Sequence, residues 1–263
     1  MDAVLLFSGQ GAQKVGMGKD LYDQYPVAKA LIEQADKALG ESLSAVMFEG
    51  PGEELTRPCN CQPALYVHGL ACLAVLKELV PSLNPVAAAG LSLGEFTAHA
   101  AAGTYSFEEG LRLVQKRGAF MEEACNATKG TMAAMIGGTD ENVIKLAQEC
   151  DVDVANFNCP GQTVVSGTEE GVAKAVAGAK AAGCKIAKKL NVAGAYHSRL
   201  MHSAMVKLAE ELKNISFGTP SMPVYCNYEA RVVEGPDDIR SMLEHQVCGS
   251  VRWTASMQKL VDQ

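Results

Sequence analysis

The chain has little that would tie it to a membrane, a nucleic acid or a metal. No apolar run approaches the roughly 20 residues that a bilayer span needs, and no basic segment precedes the strand-like start at residues 3–7. Neither an anchor nor a secretory leader is expected, and the cytoplasm, or an organelle after loss of a transit segment, is the expected location. Basic residues are in the minority, 23 Lys and Arg against 30 Asp and Glu, and the formal charge of −7 has the wrong sign for a nucleic-acid partner. The nine cysteines are odd in number and scattered, and Cys59 and Cys61 stand too close for a zinc knuckle, so reduced structural thiols and no metal are expected. A dinucleotide fingerprint, an internal repeat and low-complexity segments are also missing, and no bound cofactor is expected. What remains is apolar: 48% of 263 residues, enough for the core of one large domain or two modest ones.

The most informative stretch is Gly90-Leu91-Ser92-Leu93-Gly94-Glu95, which follows the apolar run 86–89 and leads into helix-forming residues. A serine at a strand-to-helix turn has its hydroxyl pushed out of the chain, and flanking glycines allow the tight backbone. The helix N-terminus behind Ser92 adds partial positive charge where an oxyanion would form. The pattern is short, and a plain tight turn is the competing reading.

Around it the pattern is α/β. A strand at 3–7 runs into the loop Gly9-Gln10-Gly11, Pro26 opens a helix towards Leu39, and a further helix is expected over 63–79. Ser106 and Glu109 have capping-box spacing, so a helix starts there, continues to about Glu123 and carries Arg117. Between Lys129 and Leu190 the order becomes β-α-β-β-α-β, with Thr139 and Thr168 at N-cap positions and Gly183 at a helix stop. That order is the split unit of a ferredoxin-like domain, so residues 127–194 are expected as a small domain inserted into a larger α/β domain of residues 1–126 and 195–263.

A serine hydroxyl needs a base within about 2.6–3.2 Å. Of the five histidines, His197 stands where the chain re-enters the larger domain, while His68 and His99 fall inside packed helices and His202 and His245 read as surface positions. An isolated histidine is often structural, and that alternative stands beside the catalytic one. Lys180, Lys185, Lys188 and Lys189 form either a solvated face or a contact for an acidic protein or phosphorylated ligand.

Taken together, Phe7-Ser8-Gly9-Gln10-Gly11-Ala12-Gln13, Gln62-Pro63-Ala64-Leu65, the Ser92 elbow, Lys116-Arg117-Gly118, Met132 to Gly137, Val154 to Gln162 and Tyr196-His197-Ser198 occur in the order seen in malonyl-CoA:acyl carrier protein transacylases. The chain resembles that family over essentially its whole length. The resemblance implies an α/β-hydrolase-like large domain with a ferredoxin-like insert. It also implies ping-pong transfer: Ser92 takes malonyl from malonyl-CoA and yields it to the phosphopantetheine thiol of holo acyl carrier protein, in a monomeric enzyme of fatty-acid or polyketide synthesis. His197 is then general base and acid, steadied by the Gln246 backbone carbonyl, and the N–H groups of Gln10 and Leu93 form the oxyanion hole. Arg117 would grip the malonyl carboxylate with its planar fork, where the alternative without the resemblance is a surface ion pair with Glu122 or Glu123. Tyr196 would crowd out an α-methyl group, and Gln62, Asn156 and Asn158 would line the pocket or tie loops together.

The chain departs from that family in three places, one of them the opening loop, where Ser8 and Ala12 stand for the commoner proline and serine. Leu91 stands where the family usually has histidine, and after Gln246 the run Val247-Cys248-Gly249-Ser250-Val251 replaces an Asn-Pro-Val step. The family also continues past this length into a further strand and helix, so an exposed sheet edge or apolar face is expected. Two other functions compete: a serine hydrolase or thioesterase, with water as acceptor, and a carrier-protein binding module without catalysis.

Overall fold

In the computed structural model residues 1–262 are described. The strands are β1 (Asp2–Phe7), β2 (Asn84–Gly90), β3 (Gly130–Ile136), β4 (Asp153–Cys159), β5 (Gln162–Thr168), β6 (Ile186–Lys189) and β7 (Val224–Tyr225). The first helices are α1 (Lys19–Gln24), α2 (Pro26–Leu39), α3 (Leu43–Glu49), α4 (Gly52–Thr56), α5 (Pro58–Leu79) and α6 (Leu93–Ala101). They are followed by α7 (Phe107–Ala127), α8 (Asp140–Glu149), α9 (Glu169–Gly178), α10 (His202–Lys213), α11 (Pro236–His245) and α12 (Trp253–Val261).

The chain divides into two compact units, the first holding Met1–Ala119, Glu211–Tyr225 and Val232–Ile239. Its sheet is parallel, in the order β1-β2-β7. Along β1 the side chains alternate as the pleat requires: Leu5 and Phe7 are buried, while Val4 and Leu6 are 39% and 55% exposed. On the covered face lies α5, apolar nearly all round, with Cys61, Ala64, Val67 and Ala71 fully buried. By length and composition α5 passes for a membrane span, unlike the expectation for this chain, but 61% of its apolar window is buried in the protein. It also begins earlier than expected, at Pro58, leaving Pro63 inside the helix. Pro58 presets the first helical turn, and Gly118 approaches so closely that a Cβ there would stand 2.2 Å from the Pro58 carbonyl oxygen.

The second unit holds Phe120–Glu210, Cys226–Arg231 and the chain from Arg240 onward. Its sheet is antiparallel in the order β4-β5-β3-β6. Helices α8 and α9 bury Val143, Leu146, Val172 and Ala175 against Ala133, Met135 and Val165. Thr139 Oγ1 accepts from Asn142 N at 3.3 Å and Thr168 Oγ1 from Gly171 N at 3.1 Å, capping both helices. Strand β6 is an outer strand, and Lys185, Lys188 and Lys189 beside or on it are exposed.

The division differs from the expected one at the C-terminal end. The Val251 N–H donates to Ala155 O at 2.8 Å and its carbonyl accepts from Phe157 N at 2.9 Å. Ser250 Oγ donates to Val154 O at 2.5 Å and Thr254 Oγ1 to Phe157 O at 3.1 Å. The outer edge of β4 therefore finds its hydrogen-bond partners in the segment leading into α12, which ties that segment to the second unit.

His99 on α6 is fully buried; Nδ1 meets Thr104 Oγ1 at 3.3 Å and Nε2 has no protein partner. Burial pushes its pKa down to about 3. The ring stays neutral in the fold but titrates near 6.5 once unfolded, so unfolding takes up a proton below that pH. Stability is present above about pH 6.5 and is lost towards pH 3 at about 1.4 kcal/mol per unit. Denaturant titrations should show a loss of about 2–3 kcal/mol at pH 4.5 relative to pH 7 from this residue alone, and His99→Asn should flatten the profile by that amount.

Candidate active site

Ser92 stands between the end of β2 and the first residue of α6, at φ 54° and ψ −105°. A non-glycine residue enters that region only under constraint. Here the constraint is packing. A Cβ on Gly90 would lie 1.9 Å from the Gly94 carbonyl carbon, and one on Gly94 would lie 2.3 Å from the Phe7 carbonyl oxygen. Strand end, turn and helix start are pressed together with no side chain between them. Leu91 N donates to Phe7 O at 3.0 Å, which ties the turn to β1.

The loop after β1 lies against the same turn. A Cβ on Gly9 would stand 2.4 Å from Leu91 O and 2.9 Å from Leu91 Cδ2, so Gln10 follows a residue in backbone contact with the residue before Ser92. Leu93 is the first residue of α6, where N–H groups lack intrahelical acceptors and the helix dipole is positive.

Arg117 projects inward from α7 and is 1% exposed. Its Nη1 donates to Gln62 Oε1 at 2.7 Å and its Nη2 to Ser92 Oγ at 3.1 Å. The guanidinium carbon lies 5.0 Å from the centre of the Phe96 ring. Glu123, one of the partners weighed for a surface ion pair, accepts from Lys207 Nζ at 2.6 Å. Phe96 went unremarked in the sequence, although its spacing of four from Ser92 puts it on the face of α6 below the serine.

His197 lies in the second unit. His197 is 4% exposed, at φ 54°, with Nδ1 2.9 Å from the carbonyl oxygen of fully buried Gln246. A carbonyl only accepts, so Nδ1 carries a proton, and whenever the ring is neutral its lone pair is on Nε2. Ser198, which sequence reading noted only as part of a motif, closes the turn: its Oγ donates to Ala195 O at 2.6 Å and accepts from Leu200 N at 3.2 Å.

The remaining expected residues divide. Gln62 is on the arginine. Tyr196 is buried with its hydroxyl bonded to the Cys125 thiol, whose pKa burial pushes up. Asn156 is buried on β4, where its neighbours' backbone groups meet Val251, and Asn158 Oδ1 is buried with no protein partner. Among the described residues no group of three or more His, Cys, Asp or Glu side chains is placed to hold a metal.

Comparison with known proteins agrees with this chemistry. The acyl transferase domain family matches residues 4–262. The malonyl CoA-acyl carrier protein transacylase of Bacillus subtilis is 43% identical over 261 residues, which cover 97% of this chain and 82% of that protein. The transacylase of that description from Coxiella burnetii superposes with a TM-score of 0.95 at 35% identity, over 99% of this chain and 83% of that one. A malonyl-transacylase solved with its type II polyketide acyl-carrier protein gives a TM-score of 0.95 at 36% identity, over 99% and 85%.

The glycine contacts make a direct prediction. Gly94→Ala forces a methyl group onto the Phe7 carbonyl, so a fluorophosphonate probe should no longer label Ser92, and stability should fall by about 1–3 kcal/mol or more. Gly52→Ala, whose new methyl meets only a Val15 methyl at 3.8 Å, should leave both unchanged.

Proposed function

The chain belongs to the malonyl-CoA:acyl carrier protein transacylase family, and from that premise we infer that it moves malonyl groups from malonyl-CoA to the phosphopantetheine thiol of an acyl carrier protein through a Ser92 acyl-enzyme. The observation that carries this is the buried Arg117 fork 3.1 Å from the Ser92 hydroxyl. A guanidinium there is placed to pair with a carboxylate on the acyl group, as the free end of a malonyl group supplies. Acetyl cannot satisfy it, and burying the cation without that partner penalises the wrong donor.

In the proposed reaction His197 Nε2 takes the Ser92 proton as Oγ attacks the thioester carbonyl. The N–H groups of Gln10 and Leu93 stabilise the oxyanion, and the imidazolium returns the proton to the departing coenzyme A thiolate. The second half runs in reverse with the carrier thiol as nucleophile. The Gln246 carbonyl keeps the ring in the tautomer this requires. We read the β4-β5-β3-β6 sheet with α8 and α9 as a ferredoxin-like insert, and the parallel sheet as belonging to an α/β-hydrolase-like domain. The strand order and the two helical crossovers support that reading. A cytoplasmic place in fatty-acid synthesis goes with the water-soluble substrates.

Incubation with malonyl-CoA alone should give a malonyl adduct on Ser92 by intact mass and peptide mapping, discharged by holo carrier protein and missing in Ser92→Ala. Arg117→Ala should lower kcat/KM for malonyl-CoA by about a hundredfold or more, the size expected for losing a buried charge-assisted pair, while acetyl-CoA improves relative to it. Adducts that hydrolyse as fast without the carrier would instead mark a hydrolase.

Tyr196 gives a second test. Its ring is held by burial and the Cys125 contact, so methylmalonyl-CoA should be used at least tenfold less well than malonyl-CoA, the discrimination one methyl group allows. Tyr196→Ala should narrow that ratio, and equal turnover by the unsubstituted enzyme would exclude the role.

A further inference from the structure

A second set of cations lies outside the machinery above. Tyr228, Glu229 and Ala230, on the chain leaving the carboxyl end of β7, and Arg252, Ala255 and Lys259, at the N-cap of α12 and along it, line an open cavity of about 440 Å³ in the second unit. The spacing of three and four between the last three residues puts them on one stripe of the helix, with a small alanine between two cations.

Arg252 is oriented by its own contacts. Its Nε donates to Tyr228 O at 2.9 Å and its guanidinium carbon lies 5.9 Å from the Phe157 ring centre. Neither contact uses the two terminal amino groups, which are the part of the fork that recognises a tetrahedral oxyanion. Lys259 is exposed and makes no ion pair among the described residues. The one acid of the lining, Glu229, is engaged by Arg231 Nε at 2.6 Å. A protein with a formal charge of −7 thus keeps a cavity with surplus positive charge. One wall leads to the site: the Tyr228 ring stacks on His245 at 5.3 Å, and the next residue, Gln246, holds His197.

We propose that this cavity is a phosphate subsite and that its occupant is the phosphorylated nucleotide end of coenzyme A. The assignment rests on the transacylase reading for its ligand. A planar donor fork beside an ammonium offers two cations to a phosphate, which carries more charge and more acceptor oxygens than a carboxylate, and the volume exceeds that of a bare ion, leaving room for part of the nucleoside. The carrier protein also presents a phosphate through its phosphopantetheine, and the half-reactions separate the two sources.

The test compares malonyl-CoA with malonyl-pantetheine, which lacks every phosphate, as donors to the full chain. Lys259→Glu touches no packing contact and should lower kcat/KM for malonyl-CoA about tenfold, as for one lost charge-assisted contact, with malonyl-pantetheine and the carrier half-reaction unchanged. Lys259→Ala should move the same way by less, and the difference between donors should shrink with salt. Equal loss with both donors, no loss with malonyl-CoA, or a loss confined to the carrier half-reaction would each overturn the subsite. Calorimetry on Ser92→Ala with coenzyme A and pantetheine reads the subsite without chemistry. If neither donor acylates the unsubstituted protein, the transacylase reading fails, and calorimetry still decides the phosphate site through the dependence of coenzyme A binding on Lys259.

Discussion

The site depends on backbone meeting backbone at the end of β2. Gly90 touches Gly94, Gly94 touches the Phe7 carbonyl, and Gly9 touches the Leu91 carbonyl, each too close for any Cβ. Those contacts hold Ser92 at positive φ, which costs on the order of 1–3 kcal/mol, and the surrounding core of α5 and α6 over-determines the strain. The same compression brings the loop with Gln10 and the first turn of α6 to one place. Electrostatic stabilisation works only when donors are held before charge develops, so in the proposed reaction rigidity is part of the chemistry.

In the proposed reaction the selectivity of the arginine follows from its burial. On a surface, Arg117 would be worth little to any one ligand, because water screens it and offers equal partners. Buried beneath Ser92, with Phe96 against one face and Gln62 holding Nη1, it is pre-aligned and poorly solvated. In the proposed reaction a ligand carboxylate restores what burial removed, and a ligand without one cannot. Leu91 fits this setting: the turn's geometry comes from its glycines, and a half-buried leucine packs on Gly9 where the family usually places a histidine.

His197 is held more economically than in a serine-histidine-aspartate triad. A backbone carbonyl fixes the tautomer without adding a negative charge to a buried site. Its hold depends on α11 ending where it does, since the Gln246 N–H bonds Met242 O at 3.0 Å and sets the direction of that segment. The run after Gln246 lacks the family's Asn-Pro-Val step, yet Val251 is firmly seated by two backbone hydrogen bonds to β4.

Local signals in the sequence determined local structure. Pro26 opens α2, the Ser106 and Glu109 side chains cap α7 reciprocally, and Thr139 and Thr168 cap α8 and α9. The β-α-β-β-α-β order and the serine between two glycines were legible for the same reason: turn chemistry and periodicity act over a few residues. Long-range partners were not. The inward turn of Arg117 onto Gln62, 55 positions away, the seating of Val251 on β4, and the start of α5 at Pro58 depend on which surfaces meet. Ser92, His197 and Arg117 were therefore named by the sequence as candidates, while the strain on the serine, the burial of the arginine and the tautomer of the histidine were decided only by tertiary structure, because dielectric, close approach and hydrogen-bond direction are properties of packed neighbours and not of the residues themselves.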